Sequence, residues 1–172
     1  MRKKVFTLCA MFTALALLSA ALFVLHSAGY RVNRSASLPG HVYRLTPISL
    51  DTQLVRGDCI AIDLAGLRNP VIGQGVERGY VNLREPMLKR IGALPGDRVV
   101  LEINLLLIND KAMQINVAST DSCGGQLSAW PTPLVLPENS YWLVSSPERG
   151  FDSRYFGPID RKFFTHRAVI IF

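Results

Sequence analysis

The chain has 172 residues, with 19 Lys or Arg against 13 Asp or Glu and a formal charge of +6. Arg2, Lys3 and Lys4 supply three of those charges; the remaining basic residues neither cluster into runs nor interleave with aromatic residues, so the composition speaks against a nucleic-acid partner. Beyond an apolar N-terminal segment, roughly 140 residues remain, enough for one compact domain and too few for a second of ordinary size.

From Val5 to Leu25 run 21 uncharged residues rich in Leu, Ala, Phe and Val. As a helix rising about 1.5 Å per residue, such a run spans roughly 30 Å, the thickness of a bilayer's hydrocarbon core. The basic tip before it predicts an N-terminus inside and the rest of the chain outside. A cleaved signal peptide is the competing reading, because Ser27-Ala28-Gly29 follow, but secretory apolar regions usually span about 7–15 residues, and a retained anchor is favoured. The expected organisation is therefore a cytoplasmic tip and transmembrane anchor over 1–26, then a periplasmic domain over 27–172. That makes a single-pass protein of the cytoplasmic (inner) membrane.

Downstream, Ser35-Ala36-Ser37-Leu38-Pro39-Gly40 is a cluster of turn formers. Short β-branched or aromatic runs then predict strands over 41–45, 59–63, 88–93, 98–103, 105–108, 113–117, 141–145 and 168–172. Leu94-Pro95-Gly96-Asp97 has Pro and Gly where a type II turn needs them, and Asn109-Asp110-Lys111 can close a hairpin. The glycine-rich stretch 65–80 reads as irregular connecting structure. The expected fold class is mainly β: an N-terminal transmembrane helix, then a single antiparallel, partly closed β-sheet domain with few helices. Cys59 and Cys123 are the pair available for a disulfide in an exported domain; alternatively Cys59 is a small buried apolar residue in its strand.

Several chemistries lack their residues. His-x3-His and Cys-x2-Cys spacings are missing, as is a Gly-x4-Gly-Lys phosphate loop, so neither a metal nor a cofactor is expected. The exported histidines His41 and His166 have no flanking motif that would place them in a Ser-His-Asp triad. What remains is a serine with a lysine, a pairing in which a neutral amine takes the hydroxyl proton. Lys89 sits in the apolar strand Met87-Leu88-Lys89-Arg90-Ile91, with Arg90 on the opposite face. On local pattern alone, such a lysine is more readily an edge-strand guard against aggregation.

Four motifs change that weighting. Ser35-Ala36-Ser37-Leu38, Arg56-Gly57-Asp58-Cys59, Lys89-Arg90-Ile91-Gly92-Ala93-Leu94-Pro95-Gly96-Asp97 and Phe151-Asp152-Ser153-Arg154-Tyr155-Phe156-Gly157 stand in that order. Together they resemble the conserved boxes of the signal peptidase I clan of Ser/Lys peptidases. Arg31-Val32-Asn33, Glu77-Arg78-Gly79-Tyr80 and the run Phe151 to Ile159 are more similar to the TraF-type peptidases of conjugative transfer systems. The resemblance implies a serine endopeptidase with Ser37 as nucleophile and Lys89 as general base. The backbone N–H of Ser37, together with Ser35, would form the oxyanion hole, with Asp152 and Arg154 as support. It further implies a membrane-held preprotein as substrate, namely a pilin precursor trimmed near the membrane and in some members joined head to tail, with the components of a conjugative secretion apparatus as partners. A general leader peptidase and a non-catalytic scaffold are the alternatives. One departure stands out: related enzymes carry a serine two residues before the aspartate, hydrogen-bonded to the lysine, where this chain has Gly150. Ser145, Ser146 or water must then orient Lys89.

Overall fold

The structure is a computed structural model in which residues 2–33, 38–145 and 150–172 are described. Helix α1 (Arg2–Ser27) is exposed along its length and is long and apolar enough to cross a membrane by length and composition. It extends the uncharged run Val5–Leu25 at both ends. Strands β1 (Tyr30–Val32), β2 (Val42–Pro47) and β3 (Cys59–Ile62) follow, then helix α2 (Pro70–Glu77). Next come β4 (Met87–Ala93), β5 (Arg98–Glu102), β6 (Leu105–Ile108), β7 (Lys111–Gln114), β8 (Leu134–Val135) and β9 (Ser140–Val144). The short helix α3 (Ser153–Phe156) precedes β10 (Ile159–Asp160) and β11 (Phe164–Ile170).

The fold is mainly β and antiparallel, but the strands divide among the described residues into two open sheets. One runs β1-β2-β11-β3-β4-β9-β10 and the other β7-β6-β5-β8. The expected single, partly closed sheet fails at the turn after β4. Leu94-Pro95-Gly96-Asp97 forms the type II turn the residues require, with Gly96 at φ +84° and Asp97 N–H donating to Leu94 C=O at 3.0 Å. Both edges of β4 are already occupied, by β3 and β9, so the chain leaving the turn starts a new sheet with β5.

Asp97 locks this junction. Its carboxylate, 8 % exposed, accepts from the Leu94 N–H at 2.7 Å, the Asn109 amide at 2.8 Å and the Arg56 guanidinium through Nε at 3.1 Å and through Nη2. Burial pushes the Asp97 carboxyl up, but the bonds from Arg56, Leu94 and Asn109 outweigh it and hold the group below the ordinary carboxylate value. The stability Asp97 contributes is thus complete above its ordinary pKa near 4 and is lost as pH falls through the depressed one. Asp97→Ala should cost about 3 kcal/mol in urea unfolding, through lost charge-assisted bonds and a stranded Asn109 and Leu94 N–H. A loss under about 0.5 kcal/mol, typical of a surface site, would show that the junction is held by something else.

The hairpin β6–β7 turns through Asn109 and Asp110, both at positive φ (48° and 64°), as a two-residue type I′ loop demands. Residues 65–80 differ from the expected irregular segment, since α2 occupies 70–77. Asn69 caps it, its side-chain oxygen accepting from the Val71 and Ile72 N–H groups at 3.0 and 3.2 Å, and Pro70 takes the first turn, where no N–H is needed. Gly75 is demanded by packing, because a Cβ there would lie 2.6 Å from Val81 Cγ2.

The principal core lies under β3, β4 and β9, where Ile60, Ile62, Ile91 and Leu143 pack with Ile72 of α2, Phe156 of α3 and Phe164 of β11. A second cluster joins the sheets through Val99, Leu106, Leu136, Trp142 and Val144. A third gathers Leu38, Tyr43, Leu45, Cys59, Ala61 and Ala168, with Leu88 against it. Cys59 is one of its buried members; both Cys59 and the exposed Cys123 are free thiols, so no disulfide joins them.

Candidate functional site around Lys89

β4 is a central strand, paired through Ile60↔Lys89 with β3 and through Arg90↔Val144 and Ile91↔Leu143 with β9. The edge-guard reading of Lys89 is thereby overturned. Strand alternation turns Lys89, Ile91 and Ala93 inward, and Lys89 is 4 % exposed. A buried ammonium loses its hydration, which favours the neutral amine. Burial accordingly pushes Lys89 down from its ordinary value to about 8, with the Asp152 charge opposing this and the Arg154 charge assisting it.

Asp152 and Arg154 form the floor of this region. They are 1 % and 2 % exposed and bonded in a two-point fork, Arg154 Nε to Asp152 Oδ1 and Nη2 to Oδ2, both at 2.8 Å. Asp152 also caps α3, accepting from the Arg154 N–H at 3.1 Å, and Arg154 Nη1 reaches the Asn116 carbonyl at 2.6 Å. Ser153, fully buried, ties α3 to the sheet by accepting from the Leu143 N–H at 2.8 Å. It stands within the Asp-Ser-Arg motif, and that match was its signal in the sequence.

Ser145 completes the cluster. Its N–H and its hydroxyl both donate to Asp152 Oδ2, each at 2.8 Å. Gly150 packs straight onto this group: a Cβ there would lie 2.2 Å from Ser145 Oγ and 2.8 Å from Arg154 Nη2 and from Asp152 Oδ2. Hence the glycine, because any side chain at 150 would compete with the Ser145 hydroxyl for the same space.

Ser35 and Ser37 lie outside the described residues, as does Ser146. The chain on either side of the serine box is nonetheless held firmly. Asn33 donates its side-chain amide to the carbonyls of Leu38 at 3.1 Å and Gly40 at 3.2 Å, and its N–H to the His41 carbonyl at 2.7 Å. The Tyr43 hydroxyl donates to the Pro39 carbonyl. Leu38, the residue after Ser37, is buried in the cluster that Leu88, the residue before Lys89, packs against. Asn33 was visible in the sequence only as part of the motif Arg31-Val32-Asn33; its bridging of the box was not. Among the described residues no group of three or more His, Cys, Asp or Glu side chains is placed to hold a metal.

Known proteins resemble this chain over most of its length. The family model described as "Signal peptidase, peptidase S26" matches residues 2–172. The conjugal transfer protein TraF of Agrobacterium fabrum is 30 % identical over 137 residues, covering 76 % of this chain and 75 % of that protein. TraF of Agrobacterium tumefaciens is 29 % identical over 139 residues, covering 77 % of this chain and 76 % of the relative. A crystal structure of a signal peptidase I from Enterococcus faecalis superposes with a TM-score of 0.40 at 24 % identity, covering 66 % of this chain and 94 % of that one. With the matched segment running from the apolar helix to the C-terminal strand, the chain belongs to the signal peptidase S26 family and is of its TraF type.

Proposed function

We propose that the protein is a membrane-anchored serine endopeptidase in which Ser37 and Lys89 form the catalytic dyad and whose substrate is the pilin precursor of a conjugative transfer system. The observation that carries this reading is Lys89 itself: a lysine in a central strand, 4 % exposed, whose burial brings its pKa to about 8. Such a group costs stability, and a base near neutral pH is the chemistry it serves. Leu38 belongs to the buried cluster that Leu88 packs against, and this nearness of the segment after Ser37 to β4 supports the reading.

In the reaction, Ser37 Oγ attacks the scissile carbonyl as Lys89 takes its proton. The backbone N–H of Ser37 and the hydroxyl of Ser35 stabilise the oxyanion, and the ammonium returns the proton to the leaving amine. Water then resolves the acyl-enzyme; alternatively the substrate's own N-terminus does so, closing a ring, if it is held near the ester and water is kept out. The division into an anchor over 1–26 and a catalytic domain over 27–172 belongs to the same proposal, as does an N-terminus inside with the domain in the periplasm. Residue 37 follows Leu25 by 12 residues. Even fully extended, that segment keeps the nucleophile within roughly 40 Å of the membrane, where membrane-held precursors expose their cleavage sites.

The test is processing of a co-expressed pilin precursor in membranes by wild type, Ser37→Ala and Lys89→Ala, read by product mass. The expected result is loss of the processed product in both variants. A product lighter by one water than the linear chain would establish ring closure, and the linear mass would refute it. Unchanged processing in both variants would leave the protein as a scaffold, the reading that Gly150 would favour if nothing replaced the serine missing there.

A further inference from the structure

We infer that Ser145 is the positioning residue of Lys89, its hydroxyl being held by the Asp152 carboxylate in space that Gly150 leaves open. The inference rests on the Ser37–Lys89 reading above. Three observations converge on it. First, the ladder between β4 and β9 pairs Arg90 with Val144 and Ile91 with Leu143. Continued by one residue, this antiparallel register sets Ser145 opposite Lys89, on the same face of the sheet, where facing Cβ atoms are about 4.5–5.5 Å apart. Second, the Ser145 hydroxyl spends its single proton on Asp152 Oδ2 at 2.8 Å, which fixes its rotation and leaves its lone pairs free to accept an N–H of the lysine. Third, the Gly150 Cβ position lies 2.2 Å from Ser145 Oγ, so the backbone facing Ser145 has been stripped to make room for this oxygen.

Lys89 faces a specific problem that the hydroxyl solves. An amine on four flexible methylenes must aim its lone pair at the nucleophile, and an acceptor on one N–H restricts its rotation. Asp152 contributes through its charge, which acts on Lys89 electrostatically, while Ser145 gives direction. The step itself is unchanged: the proton passes from Ser37 Oγ to Lys89 and on to the leaving amine, and Ser145 exchanges none.

The full-length protein in detergent, acting on a peptide spanning the cleavage site read from the processed pilin, tests this. Ser145→Ala should lower kcat roughly tenfold to hundredfold with little change in KM, as expected when a reacting group loses its alignment and substrate binding does not. The double variant Ser145→Ala with Gly150→Ser removes the 2.2 Å clash with Ser145 Oγ and, once the Asp152 and Arg154 side-chain ends 2.8 Å from the new Cβ give way by a few tenths of an ångström, returns a hydroxyl from the facing backbone; it should recover most of kcat. A purely structural role for Ser145 predicts no such recovery. Wild-type kcat in Ser145→Ala, or a loss that the double variant fails to restore while its thermal unfolding matches wild type, would overturn the inference. If Ser145→Ala alone unfolds, the double variant still decides. Lys89→Ala is assayed in parallel: its inactivity alongside a fully active Ser145→Ala refutes only the positioning role, whereas activity in Lys89→Ala refutes the dyad itself.

Discussion

Lys89→Met is expected to abolish processing and at the same time make the protein more stable at pH 7. Methionine retains the length and apolar stem of lysine and fills the site between Ile60 and the β9 strand without a charge to desolvate. The cost removed follows from linkage. Lys89 titrates near 8 in the folded protein against about 10.5 when exposed, and each pH unit is worth about 1.4 kcal/mol, giving about 3 kcal/mol. The sign is set by proton uptake. Between about 8 and 10.5 the unfolded chain holds a proton that the folded one has lost, so wild-type stability rises through that window. Below it both states are protonated, and the folded state carries the whole penalty. Thermal unfolding of the full chain in detergent should therefore show Lys89→Met melting above wild type by several degrees at pH 7, with the gap closing toward pH 10.5. A variant that melts below wild type at pH 7 would mean that the amine is solvated in the folded protein. Wild-type turnover should climb as pH rises through about 8, because only the neutral amine accepts the serine proton.

Asp152→Asn is expected to be the most destabilising conservative change in the domain. Asp152 and Arg154 are almost wholly buried, and the carboxylate receives the Arg154 fork, the Arg154 N–H and both donors of Ser145. Replacing it leaves the Arg154 charge buried without its counter-ion, which costs about 3–5 kcal/mol, on the order of 10 °C in melting temperature. The same change carries a catalytic signature. The Asp152 charge raises the pKa of Lys89 and the Arg154 charge lowers it, so losing the first moves Lys89 further down. The acid limb of the pH–rate profile should then shift to lower pH even as stability falls. A limb that stays where wild type has it would show that Asp152 is too well screened to act on the lysine, leaving it a structural role alone.

Much of the molecule was legible before its structure, wherever the signal was local. The membrane-length run from Val5 to Leu25, the Pro95-Gly96 turn and the Asn109-Asp110 hairpin depend on residues adjacent in sequence, and they appear as expected. Residues 65–80 were misread because four glycines outweighed Asn69-Pro70, a capping pair that starts a helix. The hairpin strand β7 begins at Lys111, two residues before the first residue expected, since the turn sets the register more strictly than side-chain pattern does. The two-residue strands β8 and β10 carry no pattern of their own and exist only because β5 and β9 have edges to pair.

By itself, then, the sequence determined the chemistry available: a lysine in an apolar strand, a serine among small turn-forming residue types, and an Asp-Ser-Arg motif. Tertiary structure alone decided what that lysine is. Whether Lys89 guards an edge or lies buried with a lowered pKa depends on which strands flank β4, a pairing between segments some 30 to 50 residues distant, β3 at 59–62 and β9 at 140–144. That Gly150 is a space kept for Ser145 is equally non-local, since it requires α3 and β9 to meet at Asp152. Pattern within a strand fixes which side chains share a face; only the neighbours on either side decide whether that face holds water.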